Sequence, residues 1–168
     1  QLIEIIVAEN NRMEHLSQPR LIRGAQRIQA ALQKEVTELE RELDDTMRNS
    51  PLWRANEDLL TSVPGVGDKT ARVLIAELPE LGTLTRRQIA HLAGLAPISR
   101  DSGTFRGKRM IGGGRKSVRN AIYMATLVGS VHNTVIRDYY RRLVAAGKAK
   151  KLALIAAARK LLTILNGI

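Results

Sequence analysis

The stretch LLTSVPGVGDKTA at residues 59–71 decides the predicted fold. The spacing of apolar residues on both sides of it predicts two helices joined by a tight Pro-Gly-Val-Gly turn. Gly65 and Gly67 let the backbone turn where a Cβ atom would clash, and Val66 between them is expected to fill the groove between the helices. The pattern is typical of a helix–hairpin–helix element, and an ordinary helical corner with a glycine-rich bend is the alternative.

The turn and the start of the second helix are a candidate phosphate-binding surface. A helix N-terminus carries unpaired N–H groups and a partial positive charge, and both favour a phosphate group. Lys69 and Arg72 follow on the first turn of that helix and add positive charge. The candidate nucleic-acid-binding residues of this element are therefore Gly65, Val66, Gly67, Lys69 and Arg72.

Composition narrows the fold class and the chemistry. Of the 168 residues, 44% are hydrophobic but only 3% are aromatic, so the core must consist of Leu, Ile, Val and Ala, which favours helices. The absence of cysteine excludes disulfides, Cys-type zinc sites and a thiol nucleophile. His15, His91 and His132 lack ligand spacing, so no metal site is predicted. Without a signal peptide or a membrane-spanning run, the predicted location is cytoplasmic and the predicted partners exclude a membrane.

The positive charge is concentrated in the second part of the chain. Residues 1–60 hold 8 Lys/Arg against 11 Asp/Glu, a net charge of −3, whereas residues 61–168 hold 19 against 5, a net charge of +14. A field of this sign attracts polyanions and speeds their encounter. A nucleic acid is therefore the expected partner, and a basic surface without a specific partner is the alternative.

The pattern along the chain predicts an all-α fold in two parts. Residues 1–50 are expected to form two helices, at residues 1–17 and Pro19–Arg48, and residues 51–168 a compact helical domain. The second helix carries an apolar seam typical of a coiled coil, at Leu21, Ala25, Ile28, Leu32, Val36, Leu39, Leu43 and Met47. A dimerisation helix is the functional interpretation of this seam, and packing on its own domain is the alternative.

The compact domain is predicted to contain six helices. They are expected at residues 51–62, 68–78, 85–93, 115–131, 134–146 and from 148 onward, with Asp68 a candidate N-cap and a capping box at residues 85–88. The hairpin occupies residues 59–78. The residues expected to point inward are Val118, Ile122, Ala125 and Val128, and then Leu152, Ile155, Ala156, Leu162 and Leu165.

A basic, glycine-rich loop at residues 98–119 is the second candidate site. Its first part, residues 98–114, is expected to lack helix, with a short β-ribbon at residues 104–111. Its basic residues are Arg100, Arg106, Lys108, Arg109, Arg115, Lys116 and Arg119, and Asp101 is its only acid. Arginines fork onto phosphate oxygens, and the glycines at residues 112–114 allow close approach of the backbone. Ser102 lies among these cations, where its hydroxyl is a candidate nucleophile for a phosphodiester. The alternative is an ordinary turn serine.

The order of these features resembles a known family. The supporting segments are the hairpin at residues 59–78, AGLAP at 93–97, DSG at 101–103, GGGR at 112–115 and Arg-Asn-Ala at 119–121. Together they are similar to the C-terminal part of transposases of the insertion-sequence-110 family, in particular its 1111-type branch. That family is related to DNA invertases of the Piv type.

The resemblance implies a serine-dependent DNA recombinase. Ser102 matches the serine that is thought to link to DNA, and Arg100, Arg106, Arg109 and Arg115 become candidates for stabilising phosphate. Lys108, Lys116 and Arg119 become candidates for binding nucleic acid. The family also implies an N-terminal RuvC-like domain that holds a divalent metal, expected to be Mg²⁺, together with a structured guide RNA and assembly through the coiled coil into a homo-oligomer.

The acids of the first part do not replace the RuvC-like cluster. Glu35, Glu38, Glu42 and Asp45 follow helical spacing and are interpreted as a solvated coiled-coil face. No cofactor is therefore expected within this chain, and we expect it to bind nucleic acid, near the nucleoid, without carrying out strand transfer alone. A non-catalytic module for nucleic-acid binding and oligomerisation is the alternative. A ribosome-associated or repair-type hairpin protein is a weaker one, because it gives the Ser102 loop no role.

Overall fold

The computed structural model describes residues 1–99, 101–104, 106–107 and 109–168, with the backbone alone at residues 47 and 48. Within these residues the chain forms eight helices and one two-stranded ribbon, which confirms the prediction of a predominantly helical protein. The chain divides into two units, Gln1–Pro51 and Leu52–Ile168.

The first unit is a helical hairpin of α1 (Leu2–Met13) and α2 (Pro19–Arg48). Pro19 opens α2 because a first-turn residue needs no N–H group and the proline ring already has a helical φ angle. The short connection makes the two helices antiparallel neighbours. A hydrogen bond of 2.6 Å from Gln29 Nε2 to Asn10 Oδ1 joins them along their length.

The predicted seam of α2 is divided between two environments. Ala25 is buried, and Leu32 and Val36 are half-buried. Four other positions of the seam are exposed, namely Leu21, Ile28, Leu39 and Leu43. The side chain of Met47 lies outside the described residues. The α1 helix therefore accounts for only part of the seam, and self-association through α2 stays a prediction.

The second unit contains six helices around one core. They are α3 (Pro51–Thr61, which begins at the unit boundary), α4 (Asp68–Glu77), α5 (Arg86–Leu92), α6 (Lys116–His132), α7 (Thr134–Ala145) and α8 (Lys150–Leu165). The α6 helix contacts α4, α7 and α8, and α8 also contacts α5 and α7. Large side chains that are fully buried come from all of these contacting helices: Leu74, Ile89, Ile122, Ile136, Leu161 and Leu162.

Two inward-facing predictions were wrong. Val128 and Leu152 were expected in the core, but 51% and 55% of these side chains are exposed. In α6 the buried stripe continues from Val118, Ile122 and Ala125 to Gly129. In α8 it runs through alanines, beginning at Ala153, which allow close helix packing. Both helices have apolar residues on more than one side, so the sequence pattern does not show which side is buried. The predicted stripe was therefore wrong by one position in each helix.

Local signals at helix ends had mixed outcomes. The capping box of α5 is present, since the Thr85 side chain accepts from the Gln88 N–H and the Gln88 side chain accepts from the Thr85 N–H. The cap prediction for α4 was wrong, because its N-cap is Gly67 and Asp68 is the first helical residue. None of the described helices is long and apolar enough to cross a bilayer.

The β-ribbon has a different partner from the one predicted. Strand β1 (Pro97–Ile98) pairs antiparallel with β2 (Met110–Ile111), with Pro97 opposite Ile111 and Ile98 opposite Met110. The sequence placed both strands inside residues 104–111. The ribbon instead pairs Pro97–Ile98 with Met110–Ile111, so only the second strand falls within the predicted range.

Candidate nucleic-acid interface

The turn between α3 and α4 is packed against α6. Val63 and Val66 are buried in the core, as expected for Val66. Gly65 has a φ angle of +102°, and a Cβ atom there would lie 2.7 Å from the Cα and N atoms of Gly129. The turn is therefore held against the backbone of α6, and only a residue without a side chain fits at position 65.

A buried asparagine fixes the same turn from the other side. Asn133 Nδ2 donates to the Pro64 carbonyl at 3.1 Å, and Asn133 Oδ1 accepts from the Ile136 N–H at 3.2 Å. The second bond caps α7, so one side chain connects the turn to the α6–α7 junction. Sequence reasoning missed this residue, although the capping preference of asparagine was a signal for its second role.

The charged candidates beside the turn differ in their exposure. Arg72 Nε donates to Glu57 Oε1 at 2.9 Å, and both side chains are mostly shielded from solvent. The Arg72 charge is thus partly balanced within the protein. Gly67 and Lys69 are exposed, and Gly67 caps α4 without any side-chain hydrogen bond. These two positions share the outward surface of the turn with Pro64 and Asp68, which are also exposed.

The basic loop brings two arginines to one carboxylate. Arg106 Nη1 and Arg109 Nη2 lie 3.9 and 3.8 Å from Asp101 Oδ2, and Ser102, the next residue, is exposed. The exposure of Ser102 is compatible with a nucleophile. The bridging role of Asp101 was missed by sequence reasoning. Arg100 and Lys108 lie outside the described residues.

Other cations of the predicted site have structural partners. Arg115 Nη1 and Nη2 donate to Glu80 Oε2 and Oε1 at 2.5 and 2.7 Å, and Arg115 Nη1 also donates to the Glu77 carbonyl at 3.0 Å. Ser117 Oγ donates to a Glu77 carboxylate oxygen. Arg119 Nη1 donates to the Gly113 carbonyl at 2.6 Å. Arg115 and Arg119 thus fix the end of the loop where α6 begins, while Lys116 is exposed.

Of the three glycines before α6, Gly114 lies in close contact with the turn that follows α5. Gly114 has a φ angle of +62°, and a Cβ atom there would lie 2.5 Å from the Leu92 oxygen and 2.7 Å from the Gly94 Cα. The Arg115 N–H donates to the same Leu92 carbonyl at 2.9 Å. The close approach that the sequence predicted for a phosphate is, at Gly114, an approach between protein backbones.

The Arg115–Glu80 pair makes a prediction for stability. The pKa of Glu80 is lowered from 4.5 to about 2, mainly because its carboxylate accepts hydrogen bonds from Arg115. A carboxyl whose pKa is lower in the folded state stabilises the fold above its unfolded pKa and loses that contribution as the pH falls. We therefore expect Glu80→Gln to lower the melting temperature at neutral pH, and the difference from wild type to disappear between pH 4.5 and about 2.

Thermal unfolding followed by circular dichroism at several pH values measures this effect. Asp138→Asn is the control, because Asp138 is exposed and its single contact with Arg137 is long, at 3.5 Å. That variant is expected to differ little from wild type at any pH. A Glu80→Gln difference that stays constant down to pH 2 would show that packing, and not the ion pair, is responsible.

Comparison with known proteins assigns the chain to a family. Residues 57–141, which include the hairpin turn and the whole basic loop, match the transposase family described as IS116/IS110/IS902. The chain belongs to this family.

Relatives of the chain include proteins of insertion elements and gene inverters. It is 33% identical over 130 residues to the IS110 43.6 kDa protein of Streptomyces coelicolor, which covers 76% of the chain and 31% of that protein. Identity to the pilin gene-inverting protein of Moraxella bovis is 31% over 133 residues, or 77% of the chain and 41% of that protein. Identity to the IS900 42 kDa protein of Mycobacterium paratuberculosis is 34% over 145 residues, which is 82% of the chain and 36% of that protein. The matched part of the chain covers only 31–41% of the length of these curated relatives. Together with the family match, they confirm the predicted resemblance to insertion-sequence transposases and DNA invertases.

Proposed function

We propose that this chain is the DNA-joining part of a transposase, in which the hydroxyl of Ser102 attacks a DNA phosphodiester. The observation that carries the proposal is an exposed serine next to a carboxylate that gathers two arginines, in a member of a transposase family. The name of the pilin gene-inverting relative, which describes DNA rearrangement, supports the same chemistry.

The loose ion pairs at Asp101 suit an exchange for phosphate. Contacts of 3.8–3.9 Å between exposed groups contribute on the order of 1 kcal/mol or less, so a DNA phosphate can replace the carboxylate as partner of Arg106 and Arg109. Both guanidiniums then neutralise charge on the phosphoryl oxygens as the transition state develops. Asp101 in this proposal keeps the two arginines near Ser102 before DNA arrives.

The proposed reaction conserves the number of phosphoester bonds. The Ser102 oxygen forms a bond to phosphorus and loses its proton, while the bond from phosphorus to one sugar oxygen breaks and that oxygen gains a proton. A sugar hydroxyl of the second strand then forms a bond to the same phosphorus and loses its proton, while the bond from phosphorus to the Ser102 oxygen breaks and that oxygen regains a proton. No external energy source is needed, because each step exchanges one phosphoester for another.

The turn between α3 and α4 is proposed to hold the DNA backbone. Support comes from the exposed start of α4 at Gly67 and Lys69, and from the way Gly65 and Val66 fix the turn on the core. Backbone contacts of this kind position DNA without reading its sequence. In this proposal Lys69 and the α4 N–H groups contact phosphate, and Arg72 contributes through its pair with Glu57.

The complete transposase is proposed to include a metal-binding domain, to use a guide RNA and to assemble into a homo-oligomer. A RuvC-like domain elsewhere in the protein holds Mg²⁺; in the part of this chain that the structure describes, no group of three acidic or histidine side chains is placed to hold a metal. A structured guide RNA selects the DNA, and the exposed leucines of α2 join copies into a homo-oligomer. That same exposed stripe favours the second candidate function, a non-catalytic binding and assembly module.

DNA binding by this chain tests the proposal. We expect Arg106→Ala/Arg109→Ala to reduce the affinity for duplex DNA, and to reduce the slope of log affinity against log salt by about 0.9 for each lost phosphate contact. Arg115→Ala is the contrast, because its guanidinium is held by Glu80. It should lower the melting temperature with a smaller effect on the salt slope. Fluorescence anisotropy at several salt concentrations, with thermal unfolding in parallel, gives both quantities.

Two results would contradict the proposal. Affinity for DNA that is absent, or independent of salt, would contradict any phosphate-binding role. Equal changes in salt slope for the double variant and for Arg115→Ala would contradict the assignment of Arg106 and Arg109.

A further inference from the structure

A groove between the β-ribbon and helices α7 and α8 has a distinctive combination of surfaces. Its volume is about 520 Å³ and its lining is mainly aliphatic, with Leu95, Ile111 and Ile155 among the lining residues. Three cations, Arg109, Lys151 and Arg159, also line it. No carboxylate does so in the part of the chain that the structure describes.

The lining of the groove also includes an aromatic ring, and a fourth cation lies beside that ring outside the lining. Tyr139 lines it, and Arg142 Cζ lies 5.3 Å from the centre of that ring. The surrounding sequence is also positively charged, because residues 139–168 contain seven Lys/Arg residues and no acid. The ligand that fits such a site has an apolar part, which the groove receives, and negative charge, which the rim attracts.

We propose that this groove holds an unpaired nucleotide of the DNA strand on which Ser102 acts. The inference rests on the proposed function, since it assumes that DNA lies at the basic loop. Continuity of the two sites supports it: Arg109 contacts the Asp101 carboxylate beside Ser102 and also lines the groove. A strand that leaves Ser102 along β2 therefore reaches the groove directly.

The shape of the groove favours an unpaired nucleotide over duplex DNA. Bases in a duplex are stacked and paired, so they cannot enter an aliphatic groove, whereas a splayed-out base can lie on it with its phosphates at the rim. The exposure of Met110 and Leu152, at 57% and 55%, gives the base apolar surface without rearrangement of the core. An acidic amphipathic peptide is the competing occupant, but it would not use the connection to the Ser102 loop.

Binding of two DNA probes to this chain tests the inference. One is a blunt duplex, and the other is the same duplex with a single-stranded overhang of about ten deoxynucleotides. We expect Lys151→Ala/Arg159→Ala to weaken binding of the overhang probe about tenfold, and to reduce its salt slope by about 1.4, from about 0.7 for each single-strand phosphate. Binding of the blunt duplex should change much less.

Two matched controls show whether weaker binding comes from the groove itself, from the loss of net charge or from the loss of any exposed apolar side chain. Arg20→Ala/Arg27→Ala removes the same charge from exposed positions of α2, so it should affect both probes equally and weakly. Leu152→Ser should weaken overhang binding about fivefold without changing the salt slope, because it removes apolar contact only. Val131→Ser removes a comparably exposed apolar side chain, 60% exposed, outside the groove lining and should have no effect.

Several outcomes would overturn the inference. Equal losses of affinity for Lys151→Ala/Arg159→Ala and Arg20→Ala/Arg27→Ala would mean that only net charge matters. A groove-dependent effect with a ribonucleotide overhang but not with the deoxynucleotide overhang would assign the groove to RNA. If the groove substitutions leave binding of both the deoxynucleotide and the ribonucleotide overhang probes unchanged but weaken binding of an acidic amphipathic peptide, the groove is assigned to protein. If neither DNA probe binds at all, the proposed function itself fails, and this result is distinct from the others.

Discussion

Replacing Ser102 with alanine is expected to abolish strand exchange by the complete transposase while leaving its DNA binding nearly unchanged. The expected loss of rate is more than about a thousandfold, because removing a covalent nucleophile leaves only positioning and electrostatic stabilisation. Binding should persist because the cations that attract phosphate, Arg106 and Arg109, are separate side chains that remain in place. The exposed position of Ser102 means that alanine should not disturb the core.

The measurement pairs a recombination assay with detection of the covalent intermediate. Wild-type protein trapped during reaction should carry a DNA fragment on the peptide that contains Ser102, identified by mass spectrometry. Ser99→Ala is the matched control, because Ser99 is an exposed serine of the same segment and should support both exchange and adduct formation. Recombination by Ser102→Ala at the wild-type rate would remove the nucleophile role and leave the non-catalytic binding module as the function.

Salt bridges around the loop were beyond sequence reasoning. Arg106, Arg109 and Arg115 look alike as positive residues in one basic segment, yet Arg115 forms a bidentate pair with Glu80. The two members of that pair are 35 positions apart, and nothing local to either residue identifies the other. Only the packing of α4 and α6 brings them together. Charge counting therefore identified the basic region, while the division of its arginines between structure and site required the fold.

Helices, in contrast, were largely predictable. The first-turn prolines of α2 and α3 and the capping box of α5 act within one turn of the chain, so their physics is readable from neighbouring residues. The loop between β1 and β2 has no such periodicity, and the pairing of Pro97 with Ile111 depends on contacts between distant positions. Local rules place most helix ends to within about a residue, whereas the path of a glycine-rich loop depends on what it packs against.

Replacing Gly65 with alanine is expected to destabilise the second unit by about 2–6 kcal/mol. Two costs combine at this position. A φ angle of +102° is unfavourable for any residue with a side chain, which costs about 1–3 kcal/mol. The new Cβ atom would also lie 2.7 Å from the Cα and N atoms of Gly129, so the turn must move away from α6, at a further cost of about 1–3 kcal/mol.

Movement of the turn would also reach the proposed DNA-binding surface. The Pro64 carbonyl accepts from Asn133, so displacement of the turn lengthens that bond as well as the glycine contact. The start of α4, with Gly67 and Lys69, follows within five residues of the altered position. We therefore expect weaker DNA binding even at temperatures where the Gly65→Ala protein remains folded.

Gly67→Ala is the control for the loss of stability. Nothing lies within 4 Å of a Cβ atom at Gly67, and its φ angle of −100° is ordinary for alanine. Its cost should be about 1 kcal/mol, since glycine is a better N-cap than alanine by roughly that amount. Denaturant unfolding measures both variants. A Gly65→Ala stability equal to that of Gly67→Ala would mean that the turn is not held against Gly129, and the argument that α6 positions this surface would then be wrong.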